Sequence, residues 1–175
     1  NKIGTSELSL KELEVQYGKK LICATYNLSQ NKCEYISAES HPDLDCLMAV
    51  RMSSAITFVF DECVYNECVY VDGAAVDNFP ITVADHTEQV LGIVIMTEKN
   101  NTDRHKLTNL MQLLVSVSSN FYISRIIDLI GDKCTIIRLN LQDIEVLEFD
   151  RGRSSKLDIF SSGYDCCTNF FKSHL

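Results

Sequence analysis

Positive charge is scarce in this sequence of 175 residues: 16 lysines and arginines stand against 24 aspartates and glutamates, a net charge of −8. That balance argues against nucleic acid as a partner, because phosphate binding needs clustered Lys and Arg, and the acidity favours solubility. No apolar run reaches the length of a membrane span, and the first residues do not read as a secretory signal. The eight cysteines form no CxxC, and the four scattered histidines do not supply zinc-ligand spacing. No metal or cofactor site is therefore expected. The Gly-x-Ser-x-Gly nucleophile elbow is missing, as is any phosphate-cradling glycine loop. These residues alone do not make a complete serine hydrolase. There is no internal repeat, low-complexity tract or internal linker.

What is present suits one packed domain: 46% of residues are hydrophobic and 23% charged. Several cysteines lie inside apolar runs, where a free thiol behaves as a small core residue. Cys63 and Cys68 flank an expected hairpin turn at Asn66-Glu67. In that register Cys63 faces Tyr70 and Cys68 faces Tyr65, so the two thiols are not opposed. Reduced cysteines in a cytoplasmic protein are expected. Asn1 is not a methionine, which suggests a cut from something longer.

Strands and helices are intermixed. Ser9-Leu-Lys-Glu12 is a capping box; it starts a short helix through Leu10, Leu13 and Val15 that Gly18 ends. Lys20 to Tyr26 reads as a strand apolar on both faces, and Lys32 to Ile36 as its hairpin partner. His41-Pro42-Asp43 is expected to open a helix through Leu44, Leu47, Met48 and Met52. Ile56 to Phe60 reads as a buried apolar run, and Cys63 to Val71 as a hairpin leading into Asp72. Pro80 suits the start of a short helix. Val90 to Met96 reads as a central strand, Glu98 to Asp103 as a surface loop and Leu107 to Ile130 as a helix stopped by Gly131. Cys134 to Leu139 is another strand. Ser154 to Phe171 is a last amphipathic helix with Leu157, Phe160, Tyr164 and Cys167 on one stripe. The fold class is α/β with a mainly buried sheet.

Few residues stand out for chemistry. Asp72-Gly73 is a common turn dipeptide, since glycine tolerates positive φ. Its context is less ordinary: a buried strand delivers the carboxylate, and small residues follow it, a placement that suits a base. Ser53 and Ser54 end a helix, where satisfying local backbone groups is the simpler role. The Leu107–Ile130 stripe reads as core packing rather than a lipid-facing lid. His41, His86, His105 and His174 lie in or beside polar segments and receive no role.

Several segments resemble the patatin-like phospholipase family. Tyr17-Gly18-Lys19 and Ala24-Thr-Tyr-Asn-Leu28 look like the family's "T-G-K…A-T-N-L". The run Ala49 to Phe60 (AVRMSSAITFVF), the hairpin at Val64-Tyr-Asn66 and Tyr70 to Pro80 (YVDGAAVDNFP) follow in the family's order. Leu147-Glu148-Phe149 and Ser162-Gly163-Tyr164 look like its last strand and closing helix. The resemblance implies a three-layer α/β/α domain with a mainly parallel central sheet, of which residues 1–175 would be the C-terminal portion. It implies hydrolysis of lipid acyl esters of the phospholipase A type by a serine–aspartate dyad, with Asp72 as the dyad aspartate and Asn78 and Pro80 shaping the loop after it. Thr57 replaces the family's proline. The family's glycine-rich oxyanion loop and serine elbow precede the helix at which this sequence begins. The partners implied are thus an N-terminal segment carrying the serine elbow, a phospholipid or other acyl ester, and a transiently contacted membrane surface. The alternative is a non-catalytic patatin-like binding or structural module.

Overall fold

The Ser9 hydroxyl accepts the Glu12 N–H while the Glu12 carboxylate accepts the Ser9 N–H, so the expected capping box starts helix α1, Leu10–Tyr17. Gly18 ends it at φ 61°, in the left-handed region that glycine enters without strain. The computed structural model describes residues 8–57, 59–84, 89–98, 121–130, 134–142 and 152–174. Its contacts divide the chain into two units, Asn1–Pro80 and Ile81–Leu175.

The first unit is built on a four-stranded antiparallel sheet in the order β2-β1-β4-β3, with β1 Cys23–Asn27, β2 Lys32–Ile36, β3 Cys63–Tyr65 and β4 Cys68–Asp72. Both expected hairpins form. In the second, Cys63 pairs with Tyr70 and Tyr65 with Cys68, as the two-residue turn dictates. Asn66 and Glu67 both take positive φ, at 46° and 63°. All eight cysteines are free thiols. Cys63 packs into the core, its Sγ 3.5 Å from Met48 Sδ.

Helix α2 spans Cys46–Ser53, so the expected start at His41-Pro42-Asp43 is corrected. Asp45 is the N-cap, its Oδ1 accepting from Leu47 N (2.8 Å) and Met48 N (3.1 Å). The preceding turn is committed elsewhere: Leu10 N–H donates to Leu44 O and Lys11 N–H to Pro42 O. Leu10, Ile36, Leu44, Ala49, Met52, Cys63 and Tyr70 form the core of this unit. The buried apolar run expected at Ile56 to Phe60 is also corrected among its described residues, for Thr57 and Phe60 are exposed and Ile56 and Val59 only partly covered. The N–H groups of Val59 and Phe60 turn back onto Ile56 O, and Phe60 is 51% exposed. Ile81–Val83 forms a single 3-10 turn after Pro80.

The second unit holds a parallel pair, β5 Val90–Glu98 and β6 Cys134–Gln142, in full register from Val90↔Cys134 to Glu98↔Gln142. Residues 121–130 are helical (α3), as is Arg153–His174 (α4). Among the described residues β5 pairs with β6 alone, so it is not a central strand there. Val94 is buried while Leu91, Ile93 and Ile95 are exposed. The apolar stripe expected on α4 is corrected as well. Leu157, Phe160 and Tyr164 are exposed, whereas Ile159, Gly163, Cys166 and Phe170 are partly covered, as is Cys167 of the expected stripe. Cys166 Sγ lies 3.5 Å from the Arg138 carbonyl of β6. Both stripes have helical spacing, and periodicity alone does not choose between them. Residues 99–120, Gly131 and 147–149, on which other expectations fell, lie outside the described residues.

The class is α/β, but the expectation of a mainly parallel sheet needs correction among the described residues. Short connections join β1 to β2 and β3 to β4, and short connections force antiparallel pairing.

Candidate active site around Asp72

Strand β1 is one of the two inner strands of the first sheet and is buried on both faces. It pairs with β4 through Thr25↔Asp72, Tyr26↔Val71 and Asn27↔Tyr70. The Thr25 hydroxyl, fully buried, donates to Val71 O at 2.8 Å and lies 3.4 Å from Met52 O. It thereby ties β4 and the end of α2 to the central strand just beside Asp72. The Asp72 N–H donates to Ala55 O at 3.0 Å, which fixes the strand end from the α2 side.

Asp72 is the last residue of β4 and the N-cap of a 3-10 turn, Gly73–Ala75. Its Oδ1 accepts the Ala74 N–H at 2.8 Å. The carboxyl is half-buried. Burial pushes its pKa above the ordinary 3.8, and the Ala74 N–H pulls the other way. Among the described residues it makes no ion pair. The site thus offers a partly desolvated carboxylate with one oxygen fixed by a backbone donor and no cation neutralising it, a state suited to accepting a proton.

Gly73 has a different role from the one the dipeptide suggests. Its φ is not positive, since Gly18 is the one described glycine in that region. A Cβ at Gly73 would lie 2.5 Å from Ala24 C, 2.6 Å from Ala24 O and 2.7 Å from Thr25 N. Glycine is needed for the turn to press against the β1 backbone.

The loop after the turn folds back on itself. Val76 N–H and Asp77 N–H both donate to Gly73 O, at 3.0 and 2.8 Å. Asp77 is only 5% exposed. Its Oδ1 accepts the Phe79 N–H, and its Oδ2 accepts the Tyr35 hydroxyl of edge strand β2. Burial first, then the Asp77 carboxylate, pushes the Tyr35 phenol well above its usual value. The sequence reading missed this pair: the partners are 42 residues apart, and Asp77 falls at a variable position of the motif. The buried Asn78 Oδ1 has no hydrogen-bond partner among the described residues.

Of the other residues weighed in the sequence, Ser54 bonds the carbonyls of Val50 and Arg51 and terminates α2, as its simpler reading held. His41 Nδ1 lies 3.0 Å from Ser40 Oγ, and that hydroxyl is engaged with Ser37 and Tyr35 backbone groups. His86 and His105 lie outside the described residues. No cluster of potential metal ligands occurs among the described residues, and no helix there is long and apolar enough to cross a membrane.

Comparison with known proteins agrees with the resemblance. The family model for patatin-like phospholipases matches residues 5–85, which contain β1, α2, both hairpins and the Asp72 loop. A protein described as a probable lipid hydrolase, 463L of Invertebrate iridescent virus 6, is 32% identical over 77 residues, covering 44% of this chain and 27% of the relative. The crystal structure of VipD from Legionella pneumophila shares the fold, with a TM-score of 0.65 and 17% identity over 95% of this chain and 35% of that one. The chain therefore spans about a third or less of the length of each.

Proposed function

We propose that this chain belongs to the patatin-like phospholipase family, whose model matches residues 5–85, and that it takes part in hydrolysing acyl esters of lipids. Asp72 is the base of a serine–aspartate dyad. The serine, on its Gly-x-Ser-x-Gly elbow, comes from a segment outside these residues, whether covalently continuous or a separate chain. Residues 1–175 form the C-terminal portion of a single three-layer domain completed by that segment. The observation that carries the reading is the Asp72 carboxylate: desolvated, unpaired among the described residues and held by Ala74 at the end of a buried strand.

In this mechanism Asp72 takes the serine proton as the hydroxyl oxygen attacks the ester carbonyl carbon. Backbone N–H groups of the completing segment stabilise the oxyanion. Collapse of the tetrahedral intermediate breaks the ester C–O bond, and the proton passes from Asp72 to the leaving alcohol. Water, deprotonated by the same carboxylate, then attacks the acyl-serine carbonyl carbon, the serine–acyl C–O bond breaks, and the proton passes from Asp72 back to the serine oxygen as the fatty acid leaves. Without serine and oxyanion donors, this chain alone is inactive. The substrate is a phospholipid or related acyl ester, met at a membrane surface through transient contact.

The test uses the full-length protein and a serine-reactive fluorophosphonate probe. Labelling that disappears in Asp72→Ala supports the dyad. Absence of labelling in the unaltered protein overturns it in favour of a non-catalytic module, and labelling that persists in Asp72→Ala removes Asp72 from the chemistry.

A further inference from the structure

The geometry points to Tyr35 and Asp77 as a positioning latch that sets the place of the Asp72 carboxylate. The inference rests on the reading of Asp72 as a base. Asp72 is fixed to the strand on its N-terminal side, by Ala55 O and by pairing with Thr25. On its C-terminal side it depends on the 3-10 turn, because the donor to Oδ1 is the turn's own Ala74 N–H. That turn has little cover of its own: Ala74, Ala75 and Val76 are exposed. Its far end is closed by Asp77, whose N–H returns to Gly73 O at 2.8 Å.

Asp77 is anchored in turn by its carboxylate. Tyr35 reaches it from β2, the strand on the other side of β1, where Tyr35 pairs with Ala24 and Thr25 pairs with Asp72. The latch therefore spans the central strand and holds the loop down on it, against the backbone of Ala24 that Gly73 touches. A hydrogen bond to a carboxylate is about twice as strong as one between neutral groups, and more so out of water. Cys33 also lies beside this pair, its thiol pushed up by burial, pulled down by a hydrogen bond with Tyr35, and pushed up again by the charges of Asp77 and Glu34. Among the described residues no hydrogen bond joins either latch residue to Asp72, so both act by position.

The experiment follows the Asp72 carboxyl itself. Carboxyl carbon NMR of the full-length protein, with Asp72 assigned through Asp72→Asn, gives its titration midpoint, and the Ala74 amide shift reports the cap. In Tyr35→Phe the loop loosens, water reaches the carboxyl, and the midpoint falls toward the ordinary 3.8. The acid limb of the hydrolysis profile moves with it, and kcat drops by about ten-fold with KM nearly unchanged. Asp77→Asn keeps an acceptor for the tyrosine and falls between the unaltered protein and Asp77→Ala. A folded Tyr35→Phe protein with an unchanged midpoint and acid limb overturns the latch. Should that variant not fold, the order of Asp77→Asn and Asp77→Ala decides: equal midpoints, both unshifted, overturn it. If Asp72→Asn retains hydrolysis, the base reading fails while the midpoints still judge the latch.

Discussion

Replacing Gly73 by alanine is the sharpest test of how the Asp72 loop is seated. The added methyl carbon would lie 2.5 Å from Ala24 C, about 0.9 Å inside the 3.4 Å at which ordinary contact begins, with Ala24 O and Thr25 N nearly as close. All three atoms are backbone, so no side chain can swing away. Nor can β1 move readily, since it is bonded to β2 on one side and β4 on the other. Overpacking usually costs 1–3 kcal/mol, and a clash against a central strand belongs at the upper end, about 3 kcal/mol. With a urea slope of about 1.5 kcal/mol/M, the unfolding midpoint should fall by about 2 M. The same displacement carries the neighbouring carboxylate out of line, so the proposed hydrolysis by the full-length protein should drop further than stability alone explains. A Gly73→Ala protein within about 0.5 kcal/mol of the original would refute the argument, because that range belongs to surface changes with no steric mechanism.

Gly163→Ala should do the opposite. Gly163 lies inside α4 with nothing within 4 Å of the added Cβ, so thermal unfolding should show a gain of about 0.5–1 kcal/mol. Thr25→Val removes the donor to Val71 O in a fully buried place and should cost about 1–2 kcal/mol in urea unfolding, with Thr25→Ser costing less. Asp72→Asn should raise stability at pH 7. The folded-state pKa of Asp72 is raised, so its contribution is fully present below the ordinary 3.8 and lost as pH rises through the folded value. The gain in Asp72→Asn should therefore vanish in unfolding curves below pH 3.8.

What the sequence made legible was local. Ser9 and Glu12, Gly18, and the Asn66-Glu67 turn act through neighbours a few residues away, and a cap or a two-residue hairpin fixes register without reference to the rest of the chain. The position of Asp72 at a strand end was legible for the same reason. What failed was tertiary. Ile56–Phe60 is as apolar as a buried strand but turns back on itself. On α4 two apolar stripes compete, and only the placement of β6 selects the one containing Cys166. Gly73 looked like a positive-φ glycine and is instead a contact glycine, a distinction set by how near Ala24 passes. The Tyr35–Asp77 pair joins residues that no spacing rule connects.

The choice of aspartate at position 72 bears on the central question more than its place in a turn does. Asn and Asp are about equally good caps overall, and an asparagine Oδ1 would also accept the Ala74 N–H, through a weaker bond than the carboxylate makes. It would do so without burying a charge. A module needing only the turn gains from the ionised group just a stronger bond to Ala74 and carries its desolvation, which burial imposes and that one backbone N–H only partly offsets. Residues around it make that burial firmer rather than relieving it: Thr25 and Ala55 fix the strand end, Gly73 brings the loop close, and Asp77 is latched by Tyr35. No cation among the described residues compensates. A carboxylate held partly desolvated at a cost fits the proposed base better than it fits a scaffold that needs only the turn.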